Sequence, residues 1–319
     1  MPGMRISPPR GTRPAVLALR ALKLGDLLVA VPALHALRRG FPEHEIVFAA
    51  PGWLEPIARL VGSIDTLLPT PGLDAALPIE PGTVDVAVNL HGNGPESRAI
   101  IDALAARRTI AHGGRVPWRD GIHERERWAS LLSGHGIPAD PSDIAIDVPR
   151  LRNPAPGAAV VHVGAFYGAR QWPVARFAEL ARALLDDDLR VVVTGGSADE
   201  ARARRVAELA GIPEDDVLAG RAGLDEFAAV IAGAAIVCTA DTGAAHLASA
   251  YGTPSVVVFG PAPVEEWGPP PGPHIALTDA SVRRGDAFAA EPDPALLAVT
   301  APDVIRAART LLRRPEARA

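Results

Sequence analysis

The chain has 319 residues, enough for two domains of about 150 residues, each able to bury its own core. With 48% hydrophobic and 22% charged residues and a net charge of -5, it has an ordinary globular composition and no basic excess that would call for a nucleic-acid partner. Its single cysteine, Cys238, excludes an intrachain disulfide and a thiolate metal cluster, and a cytoplasmic location is the expectation.

Basic residues are almost all arginine, with Lys23 the only lysine, a bias that fits source-genome composition. Peripheral contact with the inner face of a membrane, through an arginine patch, stays open. The apolar stretch from Ala15 to Leu37 is interrupted by Arg20, Lys23 and Asp26, so it reads neither as a membrane span nor as a signal peptide.

In chain order, residues 1–13 read as a disordered tail, with Pro2, Pro8, Pro9 and Gly11. The run at Val16 predicts a buried strand, and Asp26 to Arg39 a mostly helical segment. Pro32 either kinks that helix or marks its true first turn. Ile46–Ala50 reads as a strand and Trp53–Val61 as a helix. Val84–Leu90 reads as a strand, followed by a helix from Pro95 to about Ala106. The pattern pauses over 137–157, where Pro138, Pro141, Pro149, Pro154 and Pro156 mark a linker. It restarts with strand 159–163, helix 173–185, strand 190–194, helices 198–210 and 224–233, strand 235–238, helix 243–251 and strand 254–259. An irregular stretch over 284–294 precedes a last helix at about 302–313.

Two β-α-β series joined by a Pro-rich link predict an α/β protein of two doubly wound, Rossmann-like domains. The expected division is 14–150, 151–300 and a C-terminal segment 301–319. Ligands of such sheets sit outside the carboxyl ends of the strands, so the default site is a cleft between the halves.

Three strand ends could carry chemistry. In Asp241-Thr242-Gly243-Ala244-Ala245-His246, Asp241 or Thr242 caps a helix whose first N–H groups can hold an anion, with His246 one turn in. Taken alone, that segment is a capped helix with a surface histidine. In Lys23-Leu24-Gly25-Asp26, Gly25 permits a tight turn, and Asp26 is either a general base or only an N-cap. In His162 to Pro173, Arg170 follows a loop containing Gly164 and Gly168 and can grip a phosphate with its fork of donors.

Weaker features are Gly195-Gly196-Ser197, a close-approach turn suited to a ribose or base edge, and His91-Gly92-Asn93-Gly94, which could line an acceptor pocket or be a polar loop. Asp186-Asp187-Asp188 reads as a solvated turn rather than a metal site. No P-loop, hydrolase elbow or zinc spacing is present.

With these residues in place, the chain resembles the family nine glycosyltransferases, the ADP-heptose:lipopolysaccharide heptosyltransferases and their relatives. The resemblance rests on Leu24-Gly25-Asp26 through Val31-Pro32 to Arg38, on His162 to Pro173, and on the Leu218-Ala-Gly220 turn before Leu224. Asp241 to His246 and Gly252-Thr253-Pro254 through Phe259-Gly260-Pro261 complete it. Each motif is weak alone; five in order over nearly the whole chain are specific.

The resemblance implies a GT-B fold with the last helix crossing back to the first domain. It implies inverting, metal-independent transfer of a sugar, a heptose from ADP-heptose, to a hydroxyl of a glycan or lipid-linked acceptor. Asp26 would be the catalytic base. Arg170, Gly164, Gly195, Gly196, Ala222, Asp241, Thr242, Gly243 and His246 would bind the donor, and Lys23, Gly25, His91 and Asn93 the acceptor. No metal and no cofactor beyond the ADP-linked co-substrate is expected, and the protein is expected to be a monomer. Arg170 stands where the family usually has Lys, and Val163 where many members have Pro. A transferase using another nucleotide sugar and a small-molecule acceptor, a sugar-nucleotide epimerase, and an inactive nucleotide-sugar-binding module are the alternatives.

Overall fold

The computed structural model describes residues 5–6 and 13–313. The chain forms two compact units, Met1–Asp147 and Val148–Ala319, divided within the Pro-rich stretch.

The first unit contains strands β1 (Arg5–Ile6), β2 (Ala15–Leu19), β3 (Glu45–Ala50), β4 (Thr66–Pro69), β5 (Val86–Asn89) and β6 (Arg108–Ile110). They form one parallel sheet in the order β1-β4-β3-β2-β5-β6. Helices α1 (Leu24–Gly40), α2 (Glu55–Leu60), α3 (Pro95–Ala103) and α4 (Glu124–Gly134) accompany it. Every residue of β2, β3 and β5 is buried, as expected of central strands covered on both faces.

Of the predicted disordered tail, residues 1–4 and 7–12 lie outside the described residues. Arg5–Ile6 correct the expectation, pairing as an edge strand with Thr66–Leu67. Strands β4 and β6 and helix α4 were not legible in the sequence: the strands are short, and α4 carries four charges in its first four residues, Glu124 to Arg127.

Helix α1 corrects two expectations. It begins at Leu24 and runs through Pro32, which therefore does not mark a first turn. The lost hydrogen bond is tolerated because the helix is buried along Leu27 to Leu34 and packs against α4, so tertiary contact outweighs local propensity.

The second unit contains β7 (Ala159–His162), α5 (Val174–Asp186), β8 (Val191–Thr194), α6 (Glu200–Ala210), α7 (Leu224–Ala232), β9 (Ile236–Ala240), α8 (Gly243–Tyr251), β10 (Ser255–Val258), α9 (Val264–Trp267), β11 (His274–Leu277), α10 (Pro294–Ala298) and α11 (Ala301–Leu312). Its five strands are parallel in the order β11-β10-β9-β7-β8.

The buried stripe of α5, Phe177, Ala178, Leu180, Ala181 and Leu184, follows helical spacing and faces the sheet core. Trp172 fills the same core. It meets Phe177 edge to face at 4.9 Å and donates its indole N–H to the Val299 carbonyl at 3.0 Å. Phe177→Ala would empty a packed ring and cost roughly 3–5 kcal/mol, read from a denaturant midpoint.

The terminal helix α11 buries Ala301, Val304, Ala307, Ala308 and Leu311 in the second unit's core. Arg309 on its outer side makes a two-bonded ion pair with Asp187 at 2.7 and 2.9 Å. Asp187 of the acidic triplet thus anchors a helix.

The irregular stretch before α10 is organised by Asp293. Its carboxylate is 1% exposed and accepts from the N–H groups of Arg284, Gly285 and Ala295. Among the described residues no helix is long and apolar enough to cross a membrane.

Candidate active site

From β2 in the first unit and β7 in the second, the chain builds outward on one side and then returns to the other side of that strand. The reversal lies between β2 and β5 in the first unit and between β7 and β9 in the second. At such a point the two flanking connections diverge and leave a crevice at the carboxyl end. Asp26 and His91 stand at the first of these strand ends, and Asp241 to His246 with Arg170 at the second.

In the first unit, β2 ends at Leu19 and leads through Arg20 to α1. Lys23 is the N-cap, in extended conformation, so Asp26 is not the N-cap. It lies at the third helical position, and its Oδ2 accepts from the Lys23 N–H at 3.2 Å. A carboxylate in the first turn also meets the positive end of the helix dipole. Gly25 is an ordinary helical residue, and no tight turn or positive φ distinguishes it.

Beneath Asp26 sits Arg20, only 1% exposed. Its Nη2 lies 3.3 Å from Asp26 Oδ1, and its Nε donates to the Asp26 carbonyl at 2.5 Å. Its Nη1 donates to the Leu90 carbonyl beyond β5.

His91 comes to the same place. Its Nδ1 accepts from the Ala21 N–H at 3.2 Å, which leaves Nε2 to carry the proton of the neutral ring. Burial and then the Arg20 charge hold the His91 pKa below its usual value, against the pull of Asp26. Asn93 is held apart, bonded through Oδ1 to Arg98 on α3.

Helix α4 brings Glu124, Arg127 and Trp128 to this crevice, and sequence reasoning missed all three. Glu124 accepts from Arg127 Nε at 2.6 Å and lies 3.8 Å from Arg20. The Trp128 ring stands 4.8 Å from the Arg20 guanidinium, and Arg127 stacks at 4.0 Å over Trp118. An isolated arginine at the end of a strand that reads as buried was the signal available.

In the second unit, β9 leads through Asp241 to Thr242, the N-cap of α8. Asp241 is buried, and its Oδ2 lies 3.2 Å from Nη1 of Arg170, which also donates to the Asp241 carbonyl at 3.3 Å. His246 Nε2 is 4.0 Å from Asp241 Oδ1. That ring is buried, which corrects the surface-histidine reading of the segment. Thr242, Gly243 and His246 thus form one cluster with Asp241 and Arg170.

Arg170 ends a turn over Gly168–Arg170 that lies backbone to backbone on the 289–293 segment. Ala169 donates to the Ala289 carbonyl at 2.9 Å, and Asp293 N–H donates back to Ala169 at 3.1 Å. A Cβ on Gly168 would stand 1.6 Å from the Ala290 oxygen. Gly168→Ala is therefore expected to lower stability by about 2 kcal/mol in a denaturant titration, the usual penalty of overpacking. It should also displace Arg170.

The glycines just beyond β7 and β8 are close-approach positions too. A Cβ on Gly164 would meet His162 Nε2 at 2.7 Å and Asp199 Oδ2 at 2.9 Å, and one on Gly195 would meet Asp199 Cβ at 2.8 Å. Asp199 Oδ2 accepts from the Gly196 N–H at 2.9 Å. The 218–223 turn joins this end of the sheet. Gly220, at φ 72°, donates to the Gly195 carbonyl, and Ala222 closes the turn onto Leu218.

His162 bonds through Nδ1 to Thr194 Oγ1 at 3.0 Å and packs on Phe227 at 5.2 Å. Burial lowers its pKa from 6.5 to about 4. Between those pH values the unfolded chain binds a proton that the folded chain refuses, so stability is expected to rise with pH through that window. Replacing His162 with Gln should flatten that part of a stability–pH curve; an unchanged slope would assign it to other groups. Burial raises the Cys238 thiol to about 12, which removes it as a nucleophile at neutral pH. Among the described residues no group of three or more His, Cys, Asp or Glu side chains is placed to hold a metal ion.

Residues 135–279 match the family model described as glycosyltransferase family 9 (heptosyltransferase). Lipopolysaccharide heptosyltransferase 1 of Salmonella typhimurium is 26% identical over 283 residues, covering 77% of this chain and 88% of that protein. Among solved structures, the ADP-heptose lipopolysaccharide heptosyltransferase II of E. coli superposes with a TM-score of 0.74 at 20% identity, covering 93% of this chain and 98% of its own. The E. coli heptosyltransferase WaaC with ADP gives 0.70 at 20%, covering 93% and 99%.

The two doubly wound units and these structural likenesses define a GT-B fold. Within that fold, the stretch 135–279 is similar to the family 9 (heptosyltransferase) model, and most of the chain is similar to lipopolysaccharide heptosyltransferase 1.

Proposed function

We propose that the chain transfers a heptose from ADP-heptose to a hydroxyl of a glycan or lipid-linked acceptor, with inversion and without a metal. The observation that carries the reading is the Asp26 carboxylate. It is tethered through both oxygens at the reversal point of the first sheet while its side chain remains 23% exposed. A carboxylate oriented in this way can accept a proton from an acceptor hydroxyl.

In this mechanism the acceptor oxygen attacks the anomeric carbon from the face opposite the leaving group, and Asp26 takes the hydroxyl proton. The bond from the anomeric carbon to the β-phosphate oxygen breaks, and its electron pair leaves with ADP. The N–H groups at the start of α8, His246 and Arg170 stabilise the charge gained by the diphosphate, a role met elsewhere by metal ions. Asp241 holds Arg170 in place and offers carboxylate oxygens to sugar hydroxyls. Gly164, Gly195, Gly196 and Ala222 lie where a ribose or base could approach the backbone, and Lys23, His91 and Asn93 are proposed for the acceptor side.

The choice of ADP-heptose and of a lipopolysaccharide acceptor follows what the similar proteins are named for. The protein is proposed to act as a monomer in the cytoplasm, in peripheral contact with the membrane that presents its acceptor. Thermal-shift measurements against ADP-, GDP-, UDP- and dTDP-sugars test the donor. Acceptor-dependent release of ADP from ADP-heptose tests the transfer. Stabilisation by another nucleotide sugar alone would overturn the donor assignment.

A further inference from the structure

We propose that Arg20 is a positioning residue for the base: its buried guanidinium fork fixes the orientation of the Asp26 carboxylate. This rests on the reading of Asp26 given above. A guanidinium that is 1% exposed has lost its hydration, and its pKa is lowered chiefly by that burial. An apolar side chain of similar volume would fill the space without that cost, so stability alone gives little reason for a cation here.

The geometry supplies a reason. One edge of the fork addresses Asp26 twice, Nε at its carbonyl and Nη2 at its carboxylate. The remaining Nη1 is anchored on Leu90 across the sheet. Glu124, the other carboxylate within reach, is engaged at 2.6 Å by Arg127 and stands 3.8 Å from Arg20, so Asp26 is the nearer partner. The Trp128 ring covers the guanidinium at 4.8 Å and restricts its plane. With Lys23 N–H on Oδ2 and Arg20 on Oδ1, rotation of the carboxylate breaks both contacts. The lone pairs left over are then held in one direction. A lysine could keep the charge but not the planar fork that addresses Asp26 and Leu90 in fixed directions.

The test is a double-mutant cycle on the full chain, with ADP-heptose and heptose-free lipopolysaccharide as substrates. Arg20→Met is expected to lower kcat on the order of a hundredfold, the scale of a misplaced reacting group, while both KM values stay near wild type. Arg20→Lys should recover part of the loss. In the Asp26→Asn background, where no base remains to be oriented, neither Arg20 substitution should lower the residual kcat further. An equal proportional loss in both backgrounds would assign Arg20 a merely structural role and overturn the inference. So would an undiminished kcat in Arg20→Met. If Arg20→Met does not fold, the Arg20→Lys pair carries the same comparison. Near-normal turnover in Asp26→Asn alone would overturn the base assignment, and this inference with it. An inactive Asp26→Asn beside a fully active Arg20→Met would overturn only this one.

Discussion

Asp26→Asn is expected to abolish most transfer while leaving donor binding intact. Asparagine has the same shape and can still accept a hydrogen bond from the Lys23 N–H through its carbonyl oxygen, so α1 should keep its first turn. What it cannot do is take a proton. General-base contributions of about 10²–10⁴ set the expected loss in kcat. The check is a steady-state assay of acceptor-dependent ADP release beside a calorimetric Kd for ADP. Loss of both together would point to a damaged fold, and normal turnover would remove Asp26 from the chemistry.

Arg170→Met carries the second large effect. The guanidinium is 28% exposed and pairs with a carboxylate that is almost wholly buried, so it is held with part of its charge available to a ligand. Removing it takes away a cation where the leaving diphosphate gains charge, and kcat/KM for the donor is expected to fall by about 10²–10³. Arg170→Lys should restore part of this, because lysine keeps the charge but not the planar fork. Unchanged donor kcat/KM in the methionine variant would leave the start of α8 and His246 as the whole anion site. Both variants should be followed by melting temperature, since Asp241 loses an ion pair when Arg170 is replaced.

The two predictions differ in how much the sequence alone supports them. Asp26 and Asp241 to His246 stand at strand-to-helix junctions that alternating apolar runs reveal without any coordinates. The reason is local: a strand buried on both faces must be continuously apolar, and the first polar residue after it marks the carboxyl end. In an open parallel sheet that end is where ligands collect. The core strands, the paired β-α-β series and the Pro-rich divide were legible for the same reason. Short edge strands such as β6, with two exposed residues in three, carry no such pattern.

What the sequence by itself determined about this protein is therefore its class of architecture, two doubly wound units, and the strand ends at which a site can form. Tertiary structure decided the rest, because those features depend on contacts between residues far apart in the chain. Asp26 turned out to be a first-turn carboxylate held by Lys23 and Arg20 rather than an N-cap. A helix through Pro32 survives because α4 packs on it. The terminal helix joins the second unit's core because its apolar stripe matches that sheet. The burial of Arg20 among Asp26, Glu124 and Trp128 joins residues up to 108 positions apart, and no local pattern encodes such a meeting.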